Sequence, residues 1–502
     1  MYPSFSSFES TYTQFDVFPF HETLSLPPEI ASIDIISSLL DSDPFILLEG
    51  VSQQASHDQF TYLGLMPYLL FHDTGNAIHE TIPSQNKTTT VNSTIYDYIQ
   101  TLLNRYQQIP DGAPSFSSGI MGMLSYESVT YLEKIKFNKP RSLNTPYSSF
   151  MIPQMVLIVD NYAHSITISY SVFCETIQKS DTQETTLKAI YESAQSLINR
   201  IKVILNKPVT SRFDPLPLIN PNDVIDYTCS IDPDTFMAGV DRCKRYITDG
   251  DIFQVQLSRR ISIPFSGNPL DLYRYLRHYN PSPLMFYLHL NNTHLVGASP
   301  EILVNVDDRK MCIRPIAGTR KRHSNTRSEA EIIKELLHDE KEIAEHIMLV
   351  DLARNDIGRA CQNRSVTVNE LMYLEKYSHV FHMVSDVTGI LVPEYTAVDA
   401  LKFGFPAGTV SGAPKIRAME IIEELEPNHR EFYAGGVVFF DFKGDLKSAL
   451  TIRTILVKDG ISYTQAAGGI VADSIPKMEL LESENKIKMC LSAMVQYQGP
   501  KK

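Results

Sequence analysis

The stretch GGVVFFDFKGDLKSALTIRTILVKDGISYTQAAGGIV, residues 435–471, reads as strand after strand with no helical pattern between them. Its β-branched and aromatic runs, GGVVFFDF, SALTIRTILVKDG and ISYTQAAGGIV, are punctuated by Asp- and Gly-bearing turns. Further strand-like runs lie upstream: VQLSRRISIPF, LMFYLHL, HLVGASPEILVNV and MCIRPI. Long helical patterns, SEAEIIKELLHDEKEIAEHIMLVDLAR (328–354) and MELLESENKIKMCLSAMVQY (478–497), stand in separate blocks. Blocked order, rather than strict alternation, predicts an α+β fold with antiparallel β-sheets.

The first part of the chain is mixed. PFILLEG (44–50) reads as a strand, QMVLIVDNYAHSITISYSVF (154–173) as two strands around an Asp-Asn turn, and TTLKAIYESAQSLINRIKVIL (185–205) as a helix. The segment KPVTSRFDPLPLINPND (207–223) carries four prolines and reads as a linker. Two lobes follow from it, 1–222 and 223–502, as the 502-residue length also leads one to expect.

Composition narrows the class. Hydrophobic content of 43% and charged content of 21% are ordinary for a folded globular protein. A net charge of -13 argues against a broad nucleic-acid surface. It also means that an anionic substrate would need positive charge focused locally by a metal, Arg, Lys or backbone amides. The six scattered cysteines, with no C-x-x-C pair, predict neither zinc knuckle nor disulfide framework, and a cytoplasmic location fits. No signal-like N-terminus or apolar run of spanning length is present, so no membrane role is expected. No G-x-G pair or P-loop signals a dinucleotide or ATP.

Several residues could carry chemistry. Glu342 and Glu345 are three apart on one helical pattern, as are Glu479 and Glu482 on another. Two such pairs could hold a hard cation such as Mg2+, and equally each could be a solvated helix face. FPAGTVSGAPK (405–415) offers Thr409 and Ser411 with Gly408 and Gly412, either as a ligand-approaching loop or as an ordinary helix start. TQAAGGIVADS (464–474) reads as a small-residue turn, and Arg453 as a bidentate carboxylate anchor or a structural ion-pair partner. His379 and His382 form H-x-x-H without a third soft ligand, which disfavours zinc and leaves His382 as an acid, base, donor or structural residue.

Taken in order over about residues 225–498, the segments GDIFQVQLSRR, NPSPLMFYL, GASPEILV, RPIAGTRKR, DEKEIAEHIMLVDLARNDIGR, SHVFHMVSDVTG, FPAGTVSGAPKIRAME, FYAGGVVFFDF and ADSIPKMELLESENK resemble the chorismate-utilising enzymes. The resemblance implies antiparallel sheets packed as a sandwich-like core with helices outside, chorismate as substrate and Mg2+ as cofactor. It assigns Glu345 and Glu482 as metal ligands, with Glu342 and Glu479 direct or water-mediated. Gly318, Thr319, Tyr433, Arg453, Ala467, Gly468 and Gly469 would line the substrate site, although the family usually reads Gly-Ala-Gly at the last three. Glu301 would be the acid, His382, supported by Thr409, would assist pyruvate loss, and Lys486 would add positive charge at the metal end.

Three positions place the chain in the anthranilate synthase branch. Isochorismate and salicylate synthases carry a Lys base where this chain has Gln254, and aminodeoxychorismate synthases commonly carry Lys where it has Ala317. NPSPLMF (280–286) and FILLEG (45–50) resemble the paired segments that bind feedback tryptophan, which assigns Glu49, Gly50, Pro283, Leu284, Met285 and Phe286 to a regulatory site. Leu284 and Gly50 depart from that pattern, and the lost hydroxyls predict weaker tryptophan binding. The branch implies a lyase that draws ammonia from a separate glutamine amidotransferase subunit, in a heterodimer or heterotetramer. Aminodeoxychorismate synthesis, or a non-catalytic tryptophan-binding subunit, is the alternative.

Overall fold

The computed structural model describes residues 1–26, 39, 44–50, 59–109, 112–177, 184–205, 227–322, 327–376 and 380–498. The linker segment lies wholly outside them, as does His379. The strands are joined through antiparallel ladders into one continuous network, with the longer helices packed against it. The two runs around the Asp-Asn turn are strands Ser148–Asp160 and Ser165–Phe173, paired as expected from Asp160 opposite Ser165.

Side chains alternate across the pleat, so successive residues of one strand enter different cores. In the strand Leu284–Leu290, Phe286 and Leu288 join the larger apolar cluster while Met285 and Tyr287 join the second. Both faces are therefore buried, which gives the sandwich-like layering and explains why this strand is apolar or aromatic at every position but His289. The two parts of the chain share these cores. Phe45–Gly50 pairs with Leu284–Leu290, and Gly119–Leu124 pairs with Gly436–Asp441.

Three local readings need correction. The helical pattern 328–354 is two helices, Glu329–Leu336 and Glu340–Ala360: the first ends with Leu337 as its cap, and Asp339 starts the second by accepting the N–H groups of Lys341 and Glu342. The run SALTIRTILVKDG is likewise two strands, Leu446–Leu450 and Thr454–Lys458, broken at Arg453, whose φ of 48° is left-handed. The small residues Ala467 to Gly469 are not a turn. They lie inside the strand Ile461–Ile470, paired with Gln254–Pro264.

Candidate active site

Glu301 follows the strand Thr293–Ser299, whose last residue fixes it: the Ser299 hydroxyl donates to the Glu301 carbonyl (3.2 Å) and accepts its N–H (3.3 Å). The side chain is 6% exposed, and burial pushes its carboxyl up to about 8. It therefore holds a proton at neutral pH. Thr409, on the short helix Gly408–Ser411, donates its hydroxyl to Glu301 Oε1 at 2.8 Å, so it serves Glu301 directly. His382, on the strand Val380–Ile390, is 3% exposed, and burial with the Arg453 charge drives its pKa down to about 3. The imidazole is neutral. Arg453 acts on both Glu301 and His382 electrostatically, which places one cation beside an acid and a base.

The helices Glu340–Ala360 and Pro476–Gln496 bring the four candidate carboxylates to one end of the site. Burial, then the charges of Glu342 and Glu482, raise the pKa of Glu345, and burial followed by Glu482 raises that of Glu479. Glutamates from two helices therefore repel one another across the gap. Ser474 donates to Glu479 Oε1 (2.7 Å), but Oε2 of this buried carboxylate has no partner among the described residues. Gln254 donates its amide to Glu345 Oε1 at 3.0 Å. Arg320 holds Glu342 at 2.7 Å, and Lys486 holds Glu482 at 2.7 Å while donating to the Ala467 carbonyl at 3.0 Å. Among the described residues no three His, Cys, Asp or Glu side chains are drawn close enough to hold a metal ion. The all-oxygen donor set and the unpaired buried oxygen of Glu479 nonetheless suit a hard cation.

The glycines have distinct reasons to be there. Gly318 sits at a bulge with φ of 67°, between Ala317 and Thr319, and a Cβ there would lie 3.4 Å from Glu342 Oε2. A Cβ on Gly468 would lie 3.1 Å from Glu479 Oε2, and one on Gly469 would meet the amides of Gln256 and Gln254 at 2.9 and 3.1 Å. The strand backbone thus approaches the carboxylate end where side chains would block it.

Sequence reasoning passed over Arg430. This 1% exposed guanidinium donates to Glu426, to the Val410 carbonyl beside Thr409 (2.7 Å) and to the Gln256 carbonyl (2.6 Å). Its backbone N–H donates to Glu127 at 2.7 Å, and its cation faces the Tyr433 ring at 5.4 Å. Tyr433 is itself buried, its hydroxyl pushed up to about 12, and it takes a backbone hydrogen bond from Ala467. Arg430 therefore ties the Thr409 loop, the Gln254–Pro264 strand and Tyr433 together. The only signal in the sequence was a charged pair, Glu426 and Arg430, one helical turn apart.

The two segments read as a regulatory pair are adjacent strands, with Gly50 opposite Leu284 and Glu49 opposite Met285. Glu49, 3% exposed, accepts from Arg277 (2.9 and 3.0 Å) and from the Tyr273 hydroxyl. Leu284 also pairs with Ser299, the residue that fixes Glu301. Pro283, Met285 and Phe286 are buried.

Residues 52–492 match the chorismate binding enzyme family. The chain is 35% identical over 477 residues to an anthranilate synthase component 1 of Geobacillus stearothermophilus, covering 93% of this chain and 92% of that one. It is 41% identical over 383 residues to the protein of the same description from Aquifex aeolicus (strain VF5), covering 76% and 75%. Anthranilate synthase component I from Streptococcus pneumoniae TIGR4 superposes with a TM-score of 0.75 at 32% identity, over 88% of this chain and 94% of that one. MenF, the menaquinone-specific isochorismate synthase from Escherichia coli, shares the fold with a TM-score of 0.66 at 16% identity, over 98% of each chain. The chain belongs to the chorismate binding enzyme family and, within it, to the anthranilate synthase component I group.

Proposed function

We propose that this chain converts chorismate and ammonia to anthranilate and pyruvate by way of aminodeoxyisochorismate, as the first committed step toward tryptophan. One observation carries the reading: a buried, protonated Glu301 and a neutral His382 share the charge of Arg453. Ammonia attacks C2 of the ring as the C4 hydroxyl departs. Glu301, held by Thr409, supplies the proton that lets it leave as water. His382 then accepts the C2 proton as pyruvate is lost and the ring becomes aromatic. Arg453 and the backbone of Ala467 to Gly469 hold the enolpyruvyl carboxylate, with Gly318, Thr319 and Tyr433 lining the ring.

Glu345, Glu482, Glu342 and Glu479 would hold Mg2+, which supplies positive charge for the ring carboxylate when bound. The unpaired Glu479 oxygen and the mutual repulsion of these groups support this. Lys486 keeps Glu482 oriented meanwhile. Gln254, spent on Glu345, offers no ammonium to activate water, which favours ammonia as nucleophile. The ammonia would come from a glutamine amidotransferase subunit in the cytoplasm. Tryptophan would act at the Gly50 and Leu284 pairing, weakly for want of the two hydroxyls.

The test is an assay with chorismate, Mg2+ and ammonium, followed by product fluorescence and mass. Anthranilate is expected, and glutamine should replace ammonium only when an amidotransferase subunit is added. Aminodeoxychorismate as product, or no chorismate consumption, would overturn the assignment.

A further inference from the structure

His346 follows directly on Glu345 in the helix Glu340–Ala360 and is fully buried. Its Nε2 lies 2.6 Å from the Ser385 hydroxyl, and Nδ1 is sealed from solvent without a partner among the described residues. A buried imidazole with an orphaned nitrogen is destabilising relative to a satisfied one. An apolar side chain would fill the space without that cost.

The Ser385 position is where the site-building segments meet. Its hydroxyl accepts the Met372 N–H at 2.9 Å, and its own N–H donates to the Pro315 carbonyl at 3.2 Å, just ahead of Gly318. Ser385 lies on the same strand as His382. Ser385 therefore joins the strand of the base to the substrate-lining bulge through its N–H and, through its hydroxyl and His346, to the helix of two candidate metal ligands. Residues of a helix are separated by about 100°, so a peg at 346 fixes the azimuth of Glu342, about 40° away, and of Glu345, about 100° away.

We propose that His346 is a positioning residue: its bond to Ser385 sets the rotation of the Glu340–Ala360 helix and so aims Glu342 and Glu345 at the metal position. This rests on the functional reading above. His346→Leu removes the bond together with the orphaned nitrogen, and Ser385→Ala removes the bond from the other side. His346→Gln can still donate to Ser385. Mg2+ affinity is measured by calorimetry without chorismate, alongside melting temperature and kcat/KM with ammonium.

His346→Leu and Ser385→Ala should each weaken Mg2+ binding and lower kcat/KM tenfold or more while the protein stays folded, and His346→Gln should recover most of both. If both variants lower only the melting temperature and leave Mg2+ affinity within twofold, His346 is a core residue and the proposal falls. Should His346→Leu fail to fold, Ser385→Ala decides alone. A parent protein that binds Mg2+ but makes no anthranilate overturns the functional reading, while the affinity comparison still judges His346. A parent that binds no Mg2+ overturns both.

Discussion

The two ends of the site solve opposite electrostatic problems. At the Glu301 end the groups are dry and few: a protonated acid, a neutral base and one shared Arg453. Burial is the largest influence on the proton positions there, and the Arg453 charge adds to it at His382. At the Glu345 end, four carboxylates from two helices crowd together, and Arg320 and Lys486 offset only part of the charge. The first end is finished by folding, whereas the second is left electrostatically incomplete. Groups arranged against their own stability are the basis for proposing a cation there.

The sharpest way to break this contrast is to keep the dry end neutral but take away its transferable proton. Glu301→Gln should lower kcat by about 10²–10⁴-fold, since it removes a transferable proton while keeping the shape. Turnover within a few-fold of the parent would show that the acid lies elsewhere. A second break strikes what holds the dry end in place: Arg430→Ala leaves Glu426 buried and unpaired, and should cost about 3–5 kcal/mol in denaturant unfolding.

At the other end the sign of the stability effect reverses. Glu345→Gln removes a carboxylate that its neighbours repel, so the melting temperature should rise while Mg2+-dependent turnover is lost. A fall in melting temperature would mean that the cluster is not strained. The two ends should also part company in pH. Burial raises the Glu301 pKa from 4.5 to about 8, so the fold favours the protonated form; its stabilising contribution is complete below 4.5. Both that contribution and kcat should decline as pH rises through about 8, and a kcat flat from pH 7 to 10 would contradict it. The smallest effect expected is regulatory. Gly50→Ser with Leu284→Tyr should tighten tryptophan inhibition by about threefold to a hundredfold, the range of one or two hydrogen bonds; an unchanged inhibition constant would remove the paired strands from the effector site.

Much of the carboxylate end was legible in the sequence, because Glu342 with Glu345 and Glu479 with Glu482 follow from helical spacing within single segments. The dry end was not. Thr409 and Glu301 are 108 residues apart, and nothing in their local patterns says that one hydroxyl belongs to the other; the family pattern linked Thr409 to His382 instead. Arg453 looked like a strand residue because its neighbours are β-branched, and only the turn between two ladders forces its left-handed backbone. Ala467 to Gly469 looked like a turn because small residues usually make one, yet here they stay extended and let the backbone run close to Glu479. His346 carried no signal beyond its residue type, and Arg430 none beyond its spacing from Glu426.

The sequence by itself determined the antiparallel α+β class, the family and the residues that pair within one helix, because these rest on periodicity and on motif order along the chain. Only the tertiary structure decided which distant groups share a hydrogen bond, which carboxyl keeps its proton and which helix face meets the site. The physical reason is that burial and contact, not residue type, set those energies, and both are properties of the packed chain.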